Sequence, residues 1–391
     1  MTAPFAVTGG RIFDGDAILT GHALVVEGAT IRAIVEEDAL PADLARLEAE
    51  GALVAPGFVD LQVNGGGGVL FNNCPTRDGI ATICEAHARF GTTALMVTLI
   101  TDRVAVRDEA LTAGATAHAE HLPGYLGLHL EGPHLSIARK GTHDPALIRP
   151  MDEEDLSALV AAVGTFGHAL TTIAPENVNP EQVRALCAAG YVVSLGHTDV
   201  AAAEVADYVE AGASMVTHLF NAMSQMGNRE PGLVGAALSF GALFCGLIAD
   251  GFHVDPTSMG IALRAKAGPG QIFLVTDAMS TIGTDDTGFD LNGRHVFRRD
   301  GRLSLADGTL AGADIDMLSC VRFAHTRLGL PVPQALNMAS LYPAQAIGAA
   351  DRGRLSPGMR ADFILLDKDL SLVSTYIGGH CVHGAGMGAK P

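Results

Sequence analysis

The sequence predicts an α/β protein: a (β/α)8 TIM-like barrel carrying a small β-sandwich built from both termini. Three observations carry that expectation. The middle of the chain alternates short apolar runs with Ala-rich amphipathic stretches, and eight such runs can be counted. Both ends show short hairpin-forming segments instead. The length of 391 residues, with 48% apolar and 17% charged residues, suits one large barrel plus an accessory piece and excludes a disordered chain.

At the N-terminal end, Phe5–Val7, Arg11–Phe13, Ala23–Glu27 and Thr30–Val35 are separated by Gly9-Gly10, Asp14-Gly15 and Gly28-Ala29, which are hairpin signals. The C-terminal counterpart reads Ala361–Leu366 and then Leu370–Tyr376. Residues 1–55 and 351–391 are therefore expected to form the sandwich, and 56–350 the barrel. The eight barrel runs are Phe58–Val63, Ala94–Thr98, Leu126–Leu130, Leu170–Ile173, Val192–Leu195, Met215–Thr217, Leu243–Ala249 and Ile272–Thr276. Between them Thr76–Phe90, Asp155–Val163, Pro180–Ala189 and Val200–Ala211 read as helices, most of them closing near a glycine. The uncharged stretch 231–249 approaches the length of a membrane span, but Pro231 and four glycines punctuate it. It reads as a buried helical turn followed by a buried strand.

Charge limits the partners. With 25 Lys+Arg against 43 Asp+Glu, the net charge of −18 argues against nucleic acid and anionic membranes. An anionic substrate would have to meet positive groups gathered in a cleft. The six cysteines, at 74, 84, 187, 245, 320 and 381, form no Cys-x-x-Cys pair. Together with an N-terminus lacking a basic segment ahead of an apolar one, they point to the cytoplasm.

In a parallel barrel, chemistry gathers where strands end. Run three ends in His129-Leu130-Glu131-Gly132-Pro133-His134, run five in Gly196-His197-Thr198-Asp199, and run six in His218-Leu219-Phe220-Asn221. Run seven ends in Asp250-Gly251-Phe252-His253, and run eight in Asp277. One histidine alone is usually structural. A glutamate and two histidines after three different strands suit a divalent metal such as zinc, with room for water. Asp277 fits three roles at this stage: fourth ligand, helix N-cap or general base. Arg229, after the sixth strand, is a candidate anion clamp with His253.

At these residues the sequence resembles the N-acetylglucosamine-6-phosphate deacetylase family of the amidohydrolase superfamily. The matching segments are Pro56-Gly57-Phe58-Val59-Asp60, Gly127–Pro133, Lys140-Gly141-Thr142-His143, Gly196-His197-Thr198 and Thr217–Met223. They continue through Arg229-Glu230-Pro231-Gly232, Leu274–Ala278 and Leu310-Ala311-Gly312, in order from about residue 50 to about 365. The resemblance implies that Glu131, His197 and His218 hold one divalent metal ion per subunit. Zn2+ is the first choice, with Fe2+, Co2+ and Mn2+ as alternatives. Asp277 would act as base and then acid, and His143 would polarise the acetamide carbonyl. Asn221 and Ala222 would lie against the sugar phosphate, and Leu310, Ala311 and Gly312 would border the sugar. Arg229 and His253 would grip the phosphate from the neighbouring subunit of a homodimer.

Many superfamily members carry His-x-His on the first strand, where alternation turns both imidazoles to one metal. Here the sequence is Gln62-Val63-Asn64, which argues against a second metal and leaves Gln62 and Asn64 as contacts for water or for that second site. The implied reaction is hydrolysis of N-acetyl-D-glucosamine 6-phosphate to D-glucosamine 6-phosphate and acetate, in amino-sugar catabolism and cell-wall sugar recycling. The galactosamine epimer is the nearest alternative. A cyclic-amide hydrolase would be expected to keep His-x-His, and a non-catalytic barrel would be expected to have lost Asp277 or a ligand.

Overall fold

The computed structural model describes residues 3–384. Its centre is a sheet of eight parallel strands in sequential order, numbered here along the chain. They are β1 (Phe58–Val63), β2 (Thr92–Ile100), β3 (Tyr125–Glu131), β4 (His168–Ile173), β5 (Tyr191–Leu195), β6 (Met215–Val216), β7 (Phe244–Leu247) and β8 (Ile272–Leu274). All eight predicted runs are strands. The sheet curls until its edges meet: Val63 bridges Ala278, and Asp277 N donates to Gln62 O at 2.9 Å. Asp60 tightens the same seam, accepting the Thr276 hydroxyl at 2.6 Å.

Helices α1 (Arg77–Ala88), α2 (Val104–Ala119), α3 (Glu153–Ala162), α4 (Pro180–Ala189), α5 (Val205–Glu210), α6 (Gly232–Ser239) and α7 (Pro256–Ala265) link successive strands. Their starts follow local chemistry. Asn179 and Gln182 form a reciprocal capping box ahead of Pro180, and Gly190, in a left-handed conformation, closes α4. The uncharged run becomes α6 followed by β7, as the sequence predicts. Residues 317–347 add three helices, α8 (Met317–Thr326), α9 (Val332–Ala339) and α10 (Leu341–Ile347). No helix among the described residues is long and apolar enough to cross a membrane.

Both ends of the chain form sheets. One has four strands, in the order Thr30–Glu36, His22–Glu27, Phe5–Thr8, Ala45–Glu48. The other has six: His380–Gly384, Leu372–Ile377, Phe363–Leu366, Leu53–Pro56, Arg11–Phe13 and Ile18–Thr20. A separate apolar cluster holds them together, with Phe5, Leu24 and Val26 from the first and Ile12, Val54, Phe363 and Tyr376 from the second. The Phe363 and Tyr376 rings stack at 4.5 Å.

One element was not anticipated. After β8 the chain makes a four-stranded antiparallel meander, Gly288–Leu291, Arg294–Arg299, Arg302–Ser304 and Leu310–Ala313. Its apolar face, Leu291, Val296, Leu303 and Ala311, packs with Leu70, Ile100 and Met279. Ile100 ends β2 and Met279 follows β8, so the meander stands at the C-terminal mouth of the barrel.

Candidate active site

A cavity of about 400 Å³ opens at that mouth. A second cavity of about 460 Å³ lies at the opposite end, beside the strand starts Thr93, Tyr125 and His168. The mouth cavity is the candidate site, because side chains from several strand ends converge there.

Glu131 is the last residue of β3 and shares a face with His129, two residues earlier. His197 and His218 follow β5 and β6, and Asp277 follows β8. These three residues have positive φ, +49°, +26° and +51°. Phe220 and Ala222, in the same loop as His218, also have positive φ. Such backbone is unfavourable for residues with a Cβ and concentrates at functional sites. Here it marks the turns at three strand ends whose side chains meet in the cavity.

The meeting point is compact. His197 Nε2 and His218 Nε2 each lie 3.1 Å from Glu131 Oε1 and 3.1 Å from each other. His197 Nδ1 faces the Arg139 carbonyl at 2.9 Å, an acceptor only, so Nδ1 carries the ring proton. With the ring proton on Nδ1, His197 Nε2 turns a lone pair toward a carboxylate oxygen and another imidazole nitrogen. Three buried donor atoms converging in this way fit a divalent cation. His143 stands beside them: its ring meets that of His197 edge-on at 4.4 Å, and ligand atoms of Glu131, His143 and His197 lie within 4.8 Å of one another.

Electrostatics follow from burial and proximity. Burial alone would raise the Glu131 pKa, yet the adjoining His197 and His218 rings hold it well below the carboxylate range. Burial pulls His218 down, but Glu131 outweighs it and leaves the ring raised. His143 is pushed down to about 3 by burial and by His197, so it is neutral near pH 7. Asp277 is raised to about 6 by burial and by Glu131.

Gln62 and Asn64 act here as amide donors to carboxylates. Asn64 Nδ2 donates to Asp277 Oδ1 at 2.7 Å; Gln62 Nε2 lies 3.2 Å from both Asp277 Oδ1 and Glu131 Oε1. Asn64 lines the cavity, and so do Asn221, Ala222, Leu310 and Gly312. Ala311 does not; it is buried in the apolar face of the meander. His253 also lines the cavity of its own chain, where Asp250 Oδ2 holds its Nδ1 at 2.6 Å and Asp250 Oδ1 accepts from His253 N. The end of β7 thus fixes His253 in its own barrel mouth, whereas the resemblance implies a reach to a neighbouring site. Arg229 is exposed, does not line the cavity, and has no ion pair among the described residues.

Residues 53–382 match the amidohydrolase family model, and residues 5–54 match the NagA composite domain. The chain belongs to the amidohydrolase family. This amidohydrolase is 44% identical over 335 residues to N-acetylgalactosamine-6-phosphate deacetylase of Shewanella sp. (strain ANA-3), covering 86% of this chain and 84% of the relative. Its structure resembles N-acetylglucosamine-6-phosphate deacetylase of Pasteurella multocida, with TM-score 0.93 and 32% identity over 97% of this chain and 99% of that one. It also resembles the Mycobacterium smegmatis enzyme in complex with N-acetyl-D-glucosamine-6-phosphate, with TM-score 0.89 and 31% identity over 97% of this chain and 100% of that one.

Several residues of this amidohydrolase site escaped the sequence reading. Thr101 contacts His143 Nδ1 at 2.8 Å. Arg139 lines the cavity and pairs with Asp199 at 2.7 Å. Arg294 reaches from the meander to the carbonyl of Thr142, beside His143. The meander itself had a signal. Asn292-Gly293 and Asp300-Gly301 have positive φ at both residues, the backbone of tight two-residue hairpin turns that Asn-Gly and Asp-Gly favour.

Proposed function

We propose that this amidohydrolase removes the acetyl group from N-acetyl-D-glucosamine 6-phosphate in the cytoplasm, releasing D-glucosamine 6-phosphate and acetate. The observation that carries the reading is the convergence of Glu131, His197 and His218 beside the buried carboxylate of Asp277 in one cavity. Relatives named for this reaction, one solved with the sugar phosphate, support the substrate class. The galactosamine epimer is the second reading, favoured by the 44% identical Shewanella deacetylase.

Glu131, His197 and His218 would hold one divalent cation, Zn2+ by the preference of a mixed carboxylate and imidazole set. When bound, the cation supplies Lewis acidity to water and to the amide carbonyl. Asp277 takes a proton from the attacking water and later returns it to the departing nitrogen. The water oxygen bonds the carbonyl carbon, the C–N bond breaks, and the electron pair leaves on nitrogen. His143, neutral, donates to the carbonyl oxygen as charge builds there. Asn64 and Gln62 hold the Asp277 carboxylate in place. Asn221, Ala222, Leu310 and Gly312 form the wall for the sugar, with Ala311 supporting that strand. His253 meets the phosphate from the same chain, and Arg229 reaches it from the second subunit of a homodimer.

The units of this reading are the terminal sandwich, 1–55 with 351–391, and the catalytic barrel, 56–350. A substrate panel tests the reading: the 6-phosphates of N-acetylated glucosamine, galactosamine and mannosamine, scored by acetate release with metal content measured. Release from the glucosamine compound at the highest kcat/KM is expected. A decisive preference for the galactosamine compound would favour the second reading, and release from none would reject both.

A further inference from the structure

Two of the imidazoles in the site face different partners through Nδ1, and that difference divides their labour. His197 Nδ1 faces a backbone carbonyl, which can only accept, so its Nε2 is left with a lone pair. His143 Nδ1 instead faces the Thr101 hydroxyl, at 2.8 Å. A hydroxyl can donate or accept, so its proton decides the tautomer of the ring. The other acceptor within reach of that proton is the Glu131 carbonyl, 3.4 Å away and a much weaker partner. Thr101 and His143 are 1% and 2% exposed, so bulk water does not compete for the bond. The short contact to Nδ1 is therefore where the proton goes.

The backbone makes room for this arrangement. Gly132 follows Glu131 directly with φ +87°, and a Cβ there would come within 2.3 Å of Thr101 Oγ1. The hydroxyl sits in the space that the missing side chain leaves.

We propose that Thr101 is a positioning residue that fixes His143 as its Nε2–H tautomer, so that the ring offers a hydrogen-bond donor to the substrate carbonyl rather than a lone pair to the metal. This rests on the deacetylase reading for the identity of the carbonyl, while the tautomer stands on the geometry alone. His197, with the opposite tautomer, is the ligand. The two rings are 4.4 Å apart and are assigned by a carbonyl behind one and a hydroxyl behind the other.

The test combines spectroscopy with kinetics. Long-range proton–nitrogen NMR on metal-free protein labelled with 15N-histidine reads the tautomer directly, with the His143 signals assigned by their loss in His143→Asn. The expected wild-type spectrum has the proton on Nε2, and Thr101→Val shifts it toward Nδ1. On metal-loaded enzyme, Thr101→Val is expected to keep its metal and its KM within about twofold while kcat falls about tenfold, with Thr101→Ser restoring most of the loss. In a His143→Ala background the Thr101→Val change should add nothing. A proton on Nδ1 in the wild type, or metal lost from Thr101→Val in proportion to activity, overturns the proposal. If the wild type releases acetate from no sugar phosphate, the deacetylase reading fails, and the metal-free spectrum still decides the tautomer.

Discussion

Asp277 and Asp60 are two buried carboxylates at one seam of the barrel, and their environments give them different work. Asp277 lines the cavity, and its pKa of about 6 leaves it mostly ionised at pH 7, ready to accept a proton. Below that point it already holds one, so kcat/KM should fall about tenfold per pH unit. A cation bound at Glu131, His197 and His218 would pull this acid limb lower still. A pH–rate profile should place it at or below pH 6, and a limb at 7 or above would contradict the assignment. Asp277→Asn should keep its metal while turnover drops by about 10²–10⁴-fold. Metal lost in proportion to activity would make Asp277 a ligand instead. Asp60 lies outside the cavity, fully buried against Thr276, and burial raises its pKa to about 7. The folded protein holds that proton more tightly than the unfolded chain does, so stability is lost as pH rises from about 4 to 7, by a cost of the order of 4 kcal/mol. Asp60→Asn removes the cost. Its melting temperature relative to the wild type should climb across that pH range, and a difference that stays constant would contradict the burial argument.

The loop between β3 and α3 carries His143 and is tied down at its far end. Asp155 Oδ1 accepts from Arg107 at 2.8 Å and from Arg149 at 2.7 Å, and Asp152 caps the start of α3. Removing the buried carboxylate leaves Arg149 without its partner and Arg107 with only the exposed Asp108. Asp155→Ala should therefore cost about 3 kcal/mol in a denaturant titration and lower kcat, as His143 loses its fixed backbone. Unchanged stability would show that the loop is held by other means. Strands β1–β8 are buried runs bounded by turn signals, and Glu131, His197 and His218 stand at or just past their ends, so the strands and the polar residues that converge there were legible together. The Thr101–His143 contact joins residues 42 positions apart, and Arg294 to Thr142 joins residues 152 apart. No local period encodes such contacts. The meander was legible in principle, because its hairpin turns carry Asn-Gly and Asp-Gly, but its strands are short and rich in charge and offer no apolar run. Gly65 and Gly66 gain a reason only in three dimensions: a Cβ at Gly65 would meet Val69 O at 2.4 Å, and one at Gly66 would meet the His87 ring at 3.0 Å.

At the scale of the molecule, the sandwich from both ends and the barrel between them follow from hairpin signals flanking β-α alternation. Among the described residues, the cavity wall carries no arginine for a phosphate other than Arg139, already paired with Asp199, in a protein of net charge −18. Arg229, exposed and unpaired among the described residues, suits delivery to a second copy. Mixing Arg229→Ala chains with Asp277→Asn chains should then recover activity from two nearly inactive parents, since one site of each mixed dimer carries neither change. No recovery after verified subunit exchange would place Arg229 in its own chain's site or in none. The central claim, a single-metal hydrolase built on Glu131, His197 and His218, is tested most directly by titrating Zn2+ into metal-free enzyme while acetate release is followed. Activity should rise in proportion to metal and saturate at one ion per chain; activity that needs two ions per chain, or full turnover without any, would contradict it.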